Sequence, residues 1–255
     1  MSEFIQTTVE NRIMTIRFNR PEKKNALLRS MYGAAAKALQ TAQTDTDVRV
    51  VVITGEGGIF TAGNDLKDFM DVPPVDESAE VFQFMFSLAA LSKPVIAAVN
   101  GPAIGIGTTM LFHCDLVYAV PEASFQMPFI NLAVVPEFAS SLLVPRLLGR
   151  ALASELLLLG EAITASRAKE LGLINAIVPA TELAALALSK ATALAMKPPG
   201  SLRDTKALIL ANAAEIKSCI STEAKIFHNR LMTPEFREAA TAFFEQRVPD
   251  FSRFN

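Results

Sequence analysis

Between Pro94 and Cys114 the chain carries no Lys, Arg, Asp or Glu. A charge-free stretch of that length belongs in a bilayer or inside a covered fold. Pro94, Asn100, Gly101, Pro102, Gly105 and Gly107 interrupt it, and such residues would break a spanning helix early. The stretch therefore reads as a buried strand at 94–99, a glycine loop and a buried helical pattern at 103–112. A second run, Arg-Val-Val-Val-Ile-Thr at 49–54, is β-branched and unbroken, as in strands covered on both faces. Two such strands predict a mostly parallel sheet flanked by helices.

The remaining patterns agree with an α/β class. Strands are predicted at 13–18, 115–119 and 173–178. Helices are predicted at 29–43, 77–91, 138–148, 150–159 and 165–171. Strand–helix alternation of this kind implies right-handed crossovers. After Pro179 the composition turns helical, at 181–196, 203–231 and 234–246, with a break at Pro198-Pro199-Gly200. The expected organisation is an α/β core at 1–195 and a helical C-terminal region at 196–255.

Composition narrows the function classes. Lys+Arg is 24 and Asp+Glu is 26, and without a basic block this argues against a nucleic-acid surface. A 51% share of hydrophobic residues excludes disorder as the main state, and favours surface buried between subunits. Cys114 and Cys219 form no disulfide framework, so a reducing compartment is expected. No basic and apolar leader opens the chain, and Phe251–Asn255 is not a peroxisomal Ser-Lys-Leu signal. A cytoplasmic location is the expectation. His113 and His228 lack ligand spacing, so no metal site is expected.

Three segments carry candidate chemistry. Phe60-Thr61-Ala62-Gly63-Asn64-Asp65-Leu66 follows a strand; its glycine can turn backbone N–H groups toward a ligand, or Asn64 or Asp65 can simply cap a helix. Asn100 to Gly107 also follows a strand, and its N–H groups at a helix start suit an anion. It lacks the third glycine of a dinucleotide loop, Met110 standing there, and close helix–strand packing explains its small residues equally well. In the third segment, Phe129 to Ser141, one carboxylate, Glu137, sits among apolar residues. Apolar surroundings raise a carboxyl pKa toward that of a useful base, whereas a helix starting at Pro136 would pull it down. The sequence leaves both open.

Jointly, the order and spacing of these segments resemble the crotonase (enoyl-CoA hydratase/isomerase) superfamily. The likeness includes Asn19-Arg20-Pro21, Lys24-Asn25-Ala26-Leu27, Thr-Ala-Gly-Asn-Asp-Leu at 61–66, Lys93 to Gly107, and Cys114 to Ala119. Ala168-Lys169-Glu170-Leu171-Gly172-Leu173-Ile174 resembles a later signature of the family. The resemblance implies a ββα spiral core with a helical C-terminal part that builds trimers or pairs of trimers. It also implies an acyl-CoA substrate, coenzyme A being part of that substrate and no separate cofactor being needed. Backbone N–H groups of Asn64 and Ile106 would then hold the thioester oxygen. Lys24, Ala26, Ala62, Gly63, Asp65, Leu66, Gly105 and Phe129 match positions around the CoA and acyl groups.

Hydratases of this family carry two glutamates, at positions that Thr109 and Phe129 occupy here. Glu137, in Pro-Glu-Phe-Ala-Ser-Ser, is instead similar to the base of peroxisomal-type Δ3,Δ2-enoyl-CoA isomerases. The resemblance thus implies a 3-enoyl to 2-trans-enoyl-CoA shift with Glu137 as shuttling base. A hydratase of altered acid/base placement and a non-catalytic acyl-CoA-binding protein are the alternatives.

Overall fold

The structure, a computed structural model, describes residues 3–254. Strands β1 (Ile5–Glu10) and β2 (Ile13–Phe18) form an antiparallel hairpin. Its two-residue turn, Asn11-Arg12, has φ of 51° and 67°, the left-handed backbone that matches strand twist. Helix α1 (Arg29–Thr44) leads to β3 (Val50–Gly55). Helices α2 (Leu66–Asp71) and α3 (Glu80–Ala89) precede β4 (Val95–Val99) and the short β5 (Ala103–Ile104). Helix α4 (Ile106–Thr109) runs into a 3-10 turn at Met110–His113, then β6 (Leu116–Ala119) and β7 (Ser124–Gln126).

Helix α5 (Ser140–Ser154) bends at Gly149 and ends in a π-turn, Glu155–Leu159. Next come β8 (Ile163–Thr164), α6 (Ala165–Glu170) and β9 (Ala176–Ile177). Helices α7 (Ala180–Ala195), α8 (Pro199–Ile209), α9 (Ala213–Leu231) and α10 (Pro234–Phe244) finish the chain.

The main sheet has the order β1-β2-β3-β4-β6-β9, parallel from β2 onward, and β5-β7-β8 form a second sheet. Pairing of Thr54 with Ala98 brings the carboxyl ends of β3 and β4 together. Their outgoing loops therefore leave side by side, as ligand-facing loops do in open α/β sheets. All five residues of β4 are buried, which accounts for the absence of charge there. Ile220 and Phe227 of α9 join the same hydrophobic core as Ile53, Phe84 and Val99.

The α/β class and the helical C-terminal part agree with the sequence reading. Several boundaries differ. The 103–112 pattern begins as strand, because Ala103 and Ile104 pair with Phe125 and Gln126 of β7. The pattern at 203–231 divides at Leu210–Asn212, between α8 and α9. The two helices expected at 138–148 and 150–159 are one bent helix and a π-turn. The helix expected at Pro136 starts at Ser140, since Phe138 and Ala139 are left-handed.

Candidate active site

Residues 24–27 lie along the loop after β3 like an added strand. The N–H of Ala62 donates to the Lys24 carbonyl (2.9 Å), that of Leu27 to Gly63 (2.8 Å) and that of Asp65 to Leu27 (3.0 Å). Buried Asn25 fixes this pairing: its Nδ2 donates to the carbonyls of Glu56 and Ile59 at 2.9 and 2.7 Å, and its Oδ1 accepts from the Arg20 N–H. Arg20 Nη1 then bridges the Ala26 carbonyl and Asp65 at 3.0 and 2.8 Å. Asp65 caps α2 by accepting from the Asp68 N–H. Burial pushes the Asp65 carboxyl up, but Arg20 and that N–H outweigh it and hold the group below its usual range. Lys24, Ala26, Ala62, Gly63, Asp65 and Leu66 thus fall on one pair of adjoining segments.

The loop after β4 packs against the same segment. Thr61 bridges to Ala103, and the Ile104 N–H donates to the Thr61 carbonyl at 3.0 Å. Gly63 has φ of 86°, and a Cβ there would stand 2.7 Å from the Ile104 carbonyl oxygen. Only glycine lets the two loops approach so closely. Gly105, φ 58°, turns the chain into α4. Among the described residues, neither the Asn64 nor the Ile106 N–H has a hydrogen-bond partner within the fold. Unpartnered N–H groups of this kind can donate to an oxygen that gains negative charge.

Glu137 is 5% exposed and stands in the wall of a cavity lined by Phe69, Phe82, Met85, Phe138, Ile220 and Phe227, among others. It is the one titratable group in that lining among the described residues. Asn64 Nδ2 donates to its Oε1 across 3.5 Å, the long limit of a hydrogen bond. The Tyr32 hydroxyl donates to Asn64 Oδ1, completing a Tyr32–Asn64–Glu137 chain. Burial first, and then the charge of Glu223, raise the Glu137 carboxyl to about 8; the Asn64 contact lowers it less. The competition left open by the sequence is therefore won by burial. Because α5 begins three residues later, the helix start offers little opposition.

The turn after Glu137 is held from two sides. Phe138 and Ala139 have φ of 62° and 57°, which costs non-glycine residues roughly 1–3 kcal/mol each and requires support from the surroundings. His113 stacks on the Phe138 ring at 3.9 Å, and its Nε2 meets the Phe138 carbonyl at 2.8 Å. Burial pushes the imidazole down to about 4, so it is neutral at pH 7, with Nε2 as the donor. Ser140 Oγ donates to the Glu137 carbonyl at 2.7 Å. On the other side Glu223 accepts from the N–H groups of Ala139 and Ser141 and from Ser141 Oγ.

Thr109 and Phe129 are both buried and offer no carboxylate, and Thr109 Oγ1 has no partner among the described residues. The side chains of Tyr32, His113 and Glu223 were not legible as site residues. Tyr32 lies on the apolar face of α1 like any core residue, and Glu223 sits in a helix far along the chain.

The sheet assembly, the adjoining glycine loops with unpartnered N–H groups at Asn64 and Ile106, and the buried acid Glu137 beside the Asn64 side chain agree with the crotonase resemblance. The chain matches the family described as enoyl-CoA hydratase/isomerase over residues 8–253, and it belongs to that family. It is 34% identical to human enoyl-CoA delta isomerase 2 over 253 residues, covering 96% of this chain and 64% of that protein. The chain spans less than two thirds of the length of the human and rat delta isomerases it matches. It is 33% identical over 255 residues to the 2,3-dehydroadipyl-CoA hydratase of Escherichia coli K12, covering 98% of this chain and 99% of that one. Among solved structures, an enoyl-CoA hydratase/isomerase from Pseudoalteromonas atlantica superposes with a TM-score of 0.93 at 40% identity, covering 98% of this chain and all of that one. No helix among the described residues is long and apolar enough to cross a membrane.

Proposed function

We propose that the protein is an acyl-CoA isomerase that shifts a 3-enoyl-CoA double bond to the 2-trans position. The observation that carries this reading is Glu137, a buried carboxyl near 8 against Asn64, with Thr109 and Phe129 supplying no second acid. Ionised Glu137 removes a C2 proton, and the C2–H electron pair moves into the thioester as an enolate. The N–H groups of Asn64 and Ile106 hold the enolate oxygen. Protonated Glu137 then returns the proton at C4, and the double bond comes to rest between C2 and C3. One base suffices because no atom is added; hydration needs groups to activate and protonate water as well.

Lys24, Ala26, Ala62, Gly63, Asp65 and Leu66 line the CoA side in this reading, with Gly105 and Phe129 nearer the acyl group. Coenzyme A enters as part of the substrate, and no other cofactor takes part. Exposed Leu208, Ile209, Phe243, Phe244 and Val248 on the C-terminal segments support a homotrimer or dimer of trimers. The test is turnover of 3-enoyl-CoA and 2-enoyl-CoA side by side, with the products identified. Isomerisation of the first without brisk hydration of the second is expected. Brisk hydration favours a hydratase, and binding without turnover of either favours a binding protein.

A further inference from the structure

We propose that Glu223, on α9, is a positioning residue for Glu137, clamping the left-handed turn that aims it. The proposal rests on Glu137 as the base and adds a residue eighty-odd positions away in sequence. The Glu223 Oε2 accepts the Ala139 N–H at 2.5 Å, and its Oε1 accepts the Ser141 N–H at 2.9 Å and Ser141 Oγ at 2.5 Å. These three donors bracket Ser140, the residue that itself holds the Glu137 carbonyl. A carboxylate, with two acceptor oxygens, can take all three; a neutral amide, with one, cannot do so from both sides. Glu223 is buried, so it is anchored rather than mobile.

Glu223 acts on Glu137 in a second way. Like charges in a buried site oppose each other's ionisation, and the Glu223 charge adds to burial in raising Glu137. Burial raises Glu223 too and outweighs the donors at Ser141 and Ala139, which oppose it. The other groups facing this pair are Asn64, Tyr32, neutral His113 behind Phe138, and Cys219 beside Ser141. Among these described neighbours there is no cation, so the effect of one carboxylate on the other is not cancelled locally.

The experiment uses the full chain as wild type, Glu223→Gln, Glu223→Asp and Glu137→Gln, with folding checked by circular dichroism. Carbon-13 labelling of glutamate Cδ gives a titration by NMR, and the signal missing in Glu137→Gln identifies Glu137. In Glu223→Gln that signal is expected to titrate about one pH unit lower. Its kcat on 3-enoyl-CoA should fall on the order of tenfold to a hundredfold with KM little changed, as for a misaimed base. Glu223→Asp keeps the charge but withdraws the clamp, so its midpoint should stay raised while kcat falls. Should Glu223→Gln fail to fold, the Asp variant decides, and an unchanged kcat overturns the proposal. An unchanged midpoint with wild-type kcat in Glu223→Gln also overturns it, leaving Glu137 as base. Normal isomerisation by Glu137→Gln overturns the base assignment instead.

Discussion

Asn64 faces Glu137 through its side chain, Nδ2 to Oε1 at 3.5 Å, while its own backbone N–H has no hydrogen-bond partner among the described residues. One residue therefore ties the proposed proton carrier to the loop proposed to hold the developing charge. Replacing Glu137 with Gln keeps that shape and removes the proton carrier. Isomerisation of a 3-enoyl-CoA is expected to fall by about 10²–10⁴-fold, with thioester binding nearly unchanged in a calorimetric titration. Normal turnover by the Gln variant means the wrong carboxylate was assigned.

The pH profile follows from the same group. A base must be ionised to act, and the Glu137 carboxyl lies near 8. The kcat/KM of the wild type should therefore rise with pH and level off above about 8, because this ratio reports groups of the free enzyme. A profile already flat from pH 6 would contradict a raised carboxyl.

Stability should move the opposite way. An unfolded glutamate titrates near 4.5 and the folded one near 8, so between those values folding binds a proton and stability falls as pH rises. Below about 4.5 both states are protonated and the penalty vanishes. Above about 8 the penalty is complete, on the order of a few kcal/mol. Urea unfolding at pH 5 and pH 9 should show Glu137→Gln gaining on the wild type at the higher pH. A stability difference between variant and wild type that is the same at pH 5 and pH 9 would remove the case for a buried charge.

Backbone donors predict an unusual mutational pattern at position 106. Ile106→Ala keeps the N–H and should retain most activity. Ile106→Pro removes it, and loss of one such donor costs about 10²–10³-fold in kcat. Proline is acceptable at the first position of α4, so circular dichroism should show a folded variant. A proline variant as fast as the wild type would exclude this donor.

Gly63 offers a geometric check. With φ at 86° and only 2.7 Å between the place a methyl group would take and the Ile104 oxygen, Gly63→Ala must push the two loops apart. A loss of roughly 1–3 kcal/mol is expected, together with lower kcat as Asn64 shifts. Wild-type melting and turnover in this variant would mean the loops do not need their close approach.

The buried strands were readable because burial on both faces removes charge from a run, as at 49–54 and 94–99. The loops were readable because close approach demands glycine at 63 and a left-handed turn favours it at 105. What escaped the sequence depends on pairing at a distance. The two-residue β5 exists only because Gln126 and Phe125 lie beside it. The left-handed turn at Phe138 and Ala139 has no glycine to announce it, since His113 and Glu223 sustain it from other elements. Glu223 itself looks like one more polar residue of an amphipathic helix until α9 is docked. Tyr32 is equally silent, lying on a core-facing helix with its hydroxyl on Asn64.

The place of Glu223 on α9 also sets an order of events in synthesis. The loops carrying Asn64 and Ile106 can assemble once β7 has left the ribosome to pair with β5. The turn that aims Glu137 acquires its clamp only after residue 223 has emerged and α9 has packed down. A nascent chain would thus pair the loops of Asn64 and Ile106 well before the turn at Glu137 is held, and the proposed chemistry would have to wait for the helical end.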